Sequence, residues 1–203
     1  MFRCHGHQAL PRLDQIMKTS LESIVNIKLD ETQWMQATLP ISEGGLGIRR
    51  VNSLASSAYL ASAAITADLQ TDLLCRCLVS PDSYLADLLD SRSDSLPSSL
   101  DPLPTKQNIW DRPLVEKCKS IVWTKYDNPV HRARLTAACS PHSGDWLAAL
   151  PIPPCGLCLN NEAVRVAIGL RLGLEICKSH SCRCGATVSN DRHHGLICKL
   201  AFG

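Results

Sequence analysis

The sequence predicts a mainly α-helical body that ends in a short Cys/His-rich module, and three observations carry that expectation. Apolar residues recur at spacings of three and four over several segments, the mark of one buried helix face. No segment alternates apolar and polar residues strongly, as a half-buried strand would, and there is no internal repeat. Six of the eleven cysteines crowd into the last 49 of the 203 residues, among Gly and His.

Taken in order, Leu13, Ile16, Met17, Leu21, Ile24 and Val25 form the first amphipathic face, over Leu13 to Ile27. Asp30 is placed to cap a short helix bearing Trp34 and Met35, which Pro40 ends. Gly44-Gly45-Leu46-Gly47 reads as a tight turn, and Asn52 or Ser53 as the cap of a long Ala-rich helix from Leu54 to about Leu74. A short helix is expected around Tyr84–Leu89. Ser93 to Gln107, with three Pro and many Ser, reads as a flexible linker. Helix should resume near Pro113, with Leu114, Cys118, Ile121 and Val122 on one face. Pro129 suits the first position of a helix over Val130 to Cys139. Ser143-Gly144-Asp145-Trp146 reads as a turn into a short segment ending at Leu150. Asn160 or Asn161 should cap a helix from Glu162 to about Leu174. The chain thus divides into a helical region over 1–92, a linker over 93–107, a second helical region over 108–176 and a Cys/His module over 177–203.

Composition narrows the function classes. A 45% hydrophobic content is that of a globular protein, and a net charge of +2 excludes a strongly basic nucleic-acid coat. The longest apolar stretch, Leu54 to Leu69, is interrupted by Ser56, Ser57, Ser62, Thr66 and Asp68, so no membrane span is expected. The first residues lack the apolar core of a signal peptide. The expected location is therefore intracellular, nucleus or cytoplasm, with cysteines kept as thiols.

The sharpest constellation is Cys182-Arg183-Cys184-Gly185, followed by His194 and Cys198. Three thiolates and an imidazole are the donor set of a closed, four-coordinate structural zinc site. Gly185 lets the chain fold back over the ion, and so short a segment needs a metal to supply its folding energy. One zinc ion is expected. Cys177 and His180 are rivals for a ligand position, and His193 is hard to separate from His194. Cys155-Gly156-Leu157-Cys158 follows a Pro-rich run instead of opening a helix, which argues against a redox dithiol. Cys75-Arg76-Cys77 has no His beside it and reads as packing. Phosphate-loop, nucleophile-elbow and metalloprotease signatures are missing, so no catalysis and no small-molecule substrate are expected. From Asn160 onward six Lys and Arg stand against three Asp and Glu. Arg183, Arg192 and Lys199 interleave with the ligand candidates, as cations do where a zinc knuckle holds RNA or DNA phosphates. The competing expectation is a helical protein–protein scaffold whose cysteines are merely buried.

Several runs resemble one family. Trp34-Met35-Gln36-Ala37-Thr38-Leu39-Pro40-Ile41, Gly44-Gly45-Leu46-Gly47-Ile48-Arg49 and Ser56–Ala64 are similar to the region after the polymerase core in LINE-type retrotransposon polyproteins, reverse transcriptases without long terminal repeats. Pro141-His142-Ser143-Gly144-Asp145-Trp146-Leu147, Glu162-Ala163-Val164-Arg165 and Gly169-Leu170-Arg171-Leu172-Gly173 resemble the approach to that family's Cys/His knuckle. Cys177, His180, Cys182, Cys184-Gly185, His194 and Cys198 follow its order, whereas Ser179 stands where the family often has Pro. The resemblance implies thumb- or connector-like helices, a CCHC zinc knuckle and RNA or DNA as partner. The family's Ala-Asp-Asp polymerase turn is missing; Tyr84-Leu85-Ala86-Asp87 offers one carboxylate. The restriction-like nuclease that often follows the knuckle is missing too. The resemblance therefore implies a non-catalytic fragment whose further partners are the absent polymerase and nuclease domains.

Overall fold

A computed structural model describes residues 7–74, 83–90, 103–190 and 193–200. Helix dominates them. The order is α1 (Ala9–Val25), α2 (Glu31–Ala37), α3 (Val51–Leu74), α4 (Ser83–Asp90), α5 (Gln107–Lys125), α6 (Pro129–Ala138), α7 (Asp145–Ala148), α8 (Asn161–Leu172), the strands β1 (His180–Ser181) and β2 (Thr187–Val188), and α9 (His193–Ile197). Single 3-10 turns sit at Ile41–Glu43 and Pro153–Cys155. The expected mainly α body with a small cysteine-rich module is thus the observed fold. Cys75, Cys77 and residues 93–102 of the expected linker lie outside the described residues.

The chain forms two compact units, each assembled from separate stretches: residues 1–14 with 49–117, and 15–48 with 118–203. In the first unit Leu60 and Ala61 of α3, Leu88 of α4 and Trp110 of α5 form a buried cluster, flanked by Tyr59, Leu85, Leu89 and Leu103. The Trp110 indole donates to the Pro104 carbonyl at 2.7 Å. That anchor explains why α5 starts at Gln107 and not near Pro113. Pro113 lies inside the helix, where its missing N–H costs one backbone bond. The α3 cap also differs from expectation. The helix starts at Val51, whose N–H donates to the Asp14 carboxylate at 2.7 Å. A residue distant in sequence thereby takes the capping role expected of Asn52 or Ser53. Arg49 pairs with Asp111 in the same unit.

In the second unit Leu21, Val25, Leu29, Trp34, Ala37, Ile168, Leu172 and Leu174 form the core, with Met17, Leu46, Trp146 and Ile176 against it. The α2 helix opens with a full capping box: Asp30 accepts from the Gln33 N–H, and the Gln33 side chain accepts from the Asp30 N–H. Asn128 caps α6 ahead of Pro129, and Asn160 caps α8. The α8 helix stops at Leu172, with Gly173 at φ 69°, so Leu174 enters the core from beyond the helix.

One side chain joins the distant segments of this unit. Arg171, only 7% exposed, donates from Nε to the Gly45 carbonyl (2.9 Å), from Nη2 to Ile41 (2.6 Å) and from Nη1 to Ser143 (3.2 Å). The buried Gln36 amide donates to the Gly44 and Arg171 carbonyls, both at 3.0 Å. Arg134 donates to Gln36 Oε1 at 3.1 Å and to the Arg171 carbonyl, and its guanidinium lies 4.9 Å from the centre of the Tyr126 ring. Gly45 is required by close approach, because a Cβ there would stand 2.0 Å from the Leu39 carbonyl oxygen. The Gly-rich turn is therefore a carbonyl platform for a buried guanidinium, which fits its lack of a dinucleotide-binding pattern.

Candidate metal centre

The Cys/His module is built from two short pieces. β1 and β2 pair antiparallel, His180 opposite Val188 and Ser181 opposite Thr187. The turn between them carries two cysteines and is closed by the Cys182 N–H to the Ala186 carbonyl and the Gly185 N–H to the Cys182 carbonyl, both at 2.9 Å. Gly185 has φ 85°, the left-handed conformation that reverses the chain just after Cys184. The second piece is α9. His194 lies in it and Cys198 just beyond it, and the Cys198 N–H donates to the His194 carbonyl at 2.8 Å. One helical turn between them sets both side chains on the same face, toward the hairpin turn.

The two pieces bring four donor atoms together. Those of Cys182, Cys184, His194 and Cys198 all lie within 4.8 Å of one another. Cys182 Sγ is 3.6 Å from Cys198 Sγ, and Cys184 Sγ is 3.2 Å from His194 Nε2. A tetrahedral zinc with ordinary bond lengths would hold two sulfurs about 3.8 Å apart and a sulfur and a nitrogen about 3.6 Å apart. The cluster could therefore hold a metal ion with little rearrangement. Cys198 is buried, Cys182 and His194 are half-buried, and Cys184 is exposed.

The thiols differ electrostatically. The Cys184 backbone N–H, with His194, Cys184 and Cys198 contributing hydrogen bonds, lowers the Cys182 thiol to about 6. The Leu200 N–H pulls Cys198 downward, but burial and the adjacent Cys182 and Cys184 sulfurs outweigh it and the net shift is upward. One sulfur thus carries charge readily while its neighbour stays protonated, a division a divalent cation would remove.

The other candidates take different places. Cys177 points its thiol at the carbonyls of Ser189 and Asn190, at 3.5 and 3.6 Å, and the His180 ring contacts the Lys178 carbonyl at 2.9 Å. Neither joins the four-atom cluster. The His193 side chain and Arg192 lie outside the described residues. Arg183 and Lys199 are exposed, one between the two turn cysteines and one just after Cys198. Cys155 and Cys158 are exposed free thiols, Cys155 at the end of a 3-10 turn and Cys158 in the irregular chain after it. Sequence reasoning missed Asn190 and Ser189, whose backbone carbonyls engage Cys177; no side-chain signal could have revealed them.

No described helix is long and apolar enough to cross a membrane. None of the family models, curated proteins or solved structures compared with the chain matches it.

Proposed function

We propose that Cys182, Cys184, His194 and Cys198 bind one structural zinc ion, and that the resulting knuckle holds RNA or DNA through Arg183, Arg192 and Lys199. The observation that carries this is the convergence of four donor atoms within 4.8 Å, three soft thiols and one imidazole, on a tight turn and a single helical turn. The exposed Arg183 and Lys199 beside it supply phosphate contacts without a large apolar interface. In this reading the chain is a non-catalytic piece of a LINE-type reverse transcriptase polyprotein and works beside polymerase and nuclease domains. That part rests on the resemblance of the Gly-rich turn, the Ser143 turn and α8 to stretches of that family.

Metal analysis of the purified chain tests the site. One zinc per chain is expected, and none in a Cys184→Ser/Cys198→Ser double variant; a metal-free wild type overturns it. Salt titration tests the partner. Nucleic-acid affinity should fall linearly on a log–log plot as salt rises. Absent or salt-independent binding instead favours the helical scaffold.

A further inference from the structure

Beside the Cys/His module the second unit opens a cavity of about 650 Å³, within the range that takes a small organic ligand. Its walls come from the loop after α1, the outer face of α8 and the chain leading into β1. Ile27, Val166 and Ile176 give it an apolar surface. Arg165 and Lys178, both exposed, bring two cations to it. Arg165 is held in place by donating Nε to the Ile24 carbonyl at 2.9 Å, which leaves the rest of its guanidinium fork uncommitted there. Asn26 and Asn190 add amides, and Glu162 and Glu175 add carboxylate acceptors. Apolar walls, amides and acceptors beside two cations match the parts of a nucleotide: a flat base with polar edges, joined to a phosphate. The position fits as well. Lys178 and Asn190 flank the β hairpin that carries the turn cysteines, and the Asn190 carbonyl accepts from the Cys177 N–H at 3.4 Å. The cavity therefore lies at the root of the module.

We propose that this cavity receives one unstacked nucleotide of a single strand lying on the Cys/His module, and that it favours a base with an exocyclic amino group. The inference rests on the nucleic-acid reading above and adds a base-selective subsite to it. Unpaired bases are what proteins read in single strands, by packing against the base face and hydrogen bonding to its edge. Carboxylates accept from the cytosine amino group, and asparagine pairs with adenine; uracil has no amino group to offer. Arg165 and Lys178 hold the phosphate.

The test uses the full chain loaded with zinc and fluorescent oligo(C) and oligo(U) strands of about eight nucleotides, read by anisotropy. Oligo(C) is expected to bind about fivefold more tightly than oligo(U), the equivalent of one net hydrogen bond. Ser179→Phe, at an exposed wall position, fills the cavity and should abolish that preference while leaving one zinc bound. Lys178→Ala should weaken both strands alike and reduce the salt slope by about one. Equal affinity for the two strands, or a preference unchanged in Ser179→Phe, overturns the proposal. If Ser179→Phe keeps the preference while Cys184→Ser/Cys198→Ser loses all binding, the cavity fails and the knuckle reading stands. Conversely, an oligo(C) preference that persists in Cys184→Ser/Cys198→Ser without zinc and is abolished by Ser179→Phe leaves the cavity standing and sinks the knuckle reading, and a chain that binds neither strand overturns both.

Discussion

Arg171 shows how one side chain can organise a unit with little apolar bulk. Its guanidinium is buried without a carboxylate and is satisfied by three main-chain carbonyls drawn from two segments. Burial lowers its pKa, which marks the cost of desolvating the charge, and the planar fork meets that cost with donors in three directions. A lysine has the charge but not the fork. Arg171→Lys should leave at least one buried carbonyl unpaired and destabilise the chain by ~2–3 kcal/mol in urea unfolding. Glu22 is the acidic counterpart. Its hydrogen bond from Lys28 (2.9 Å), with the Leu29 N–H (3.0 Å), lowers its pKa below the usual 4.5. A carboxyl depressed in the folded state adds stability above its unfolded value and loses it as pH falls through the folded one. Stability should therefore drop below about pH 4.5. Glu22→Gln should flatten that acid arm in thermal melts at stepped pH, and an identical arm in the variant would exclude Glu22 as its source.

At the scale of single elements, the helix ends separate what the sequence discloses from what it hides. Asp30 and Asn160 were legible because a cap acts on an N–H three residues away, and Pro129 because its fixed φ suits the first helical position, so each signal is local. Asp30→Ala removes the acceptor of the α2 capping box and should cost about 1 kcal/mol. Urea unfolding checks it, and Asp30→Asn should recover most of the loss. The α3 cap was illegible for the opposite reason. Asp14 sits 37 residues before the N–H it accepts from, and no local pattern encodes that approach. The start of α5 was hidden likewise, because Pro113 reads as a boundary until the packing of Trp110 outweighs it. The metal candidates lie between these cases. Cys182 and Cys184 share one turn, so that pair was legible, whereas the partner of Cys198 was open between His193 and His194, adjacent residues that the sequence hardly separates. That Cys177 turns instead to the Ser189 and Asn190 carbonyls was not legible, because backbone acceptors leave no trace in residue types.

On the scale of the whole molecule, stability is unevenly supplied. Each unit has its own apolar cluster, built around Trp110 and Leu60 in one and around Trp34 and Leu172 in the other. The described residues from Cys177 to Leu200 contribute nothing to either cluster, and their regular structure is a pair of two-residue strands and a five-residue helix. Elements that short cannot repay the entropy of ordering, which is of order 1–2 kcal/mol per residue. Four donor atoms on one ion can, since structural zinc returns its binding energy as folding energy. Removing the metal should therefore melt the module and spare the core. With a chelator, hydrogen exchange by mass spectrometry should show amides of 180–198 losing protection while those of α2 and α8 keep theirs. Far-UV circular dichroism should scarcely change, because nearly all the helix lies elsewhere. Zinc restored at neutral pH should restore protection, and restoration should fail at low pH, where thiols and imidazole hold their protons against the metal. Unchanged protection of the hairpin turn and α9 after verified metal removal would mean that packing holds the module, and the four side chains would then have no structural ion to serve.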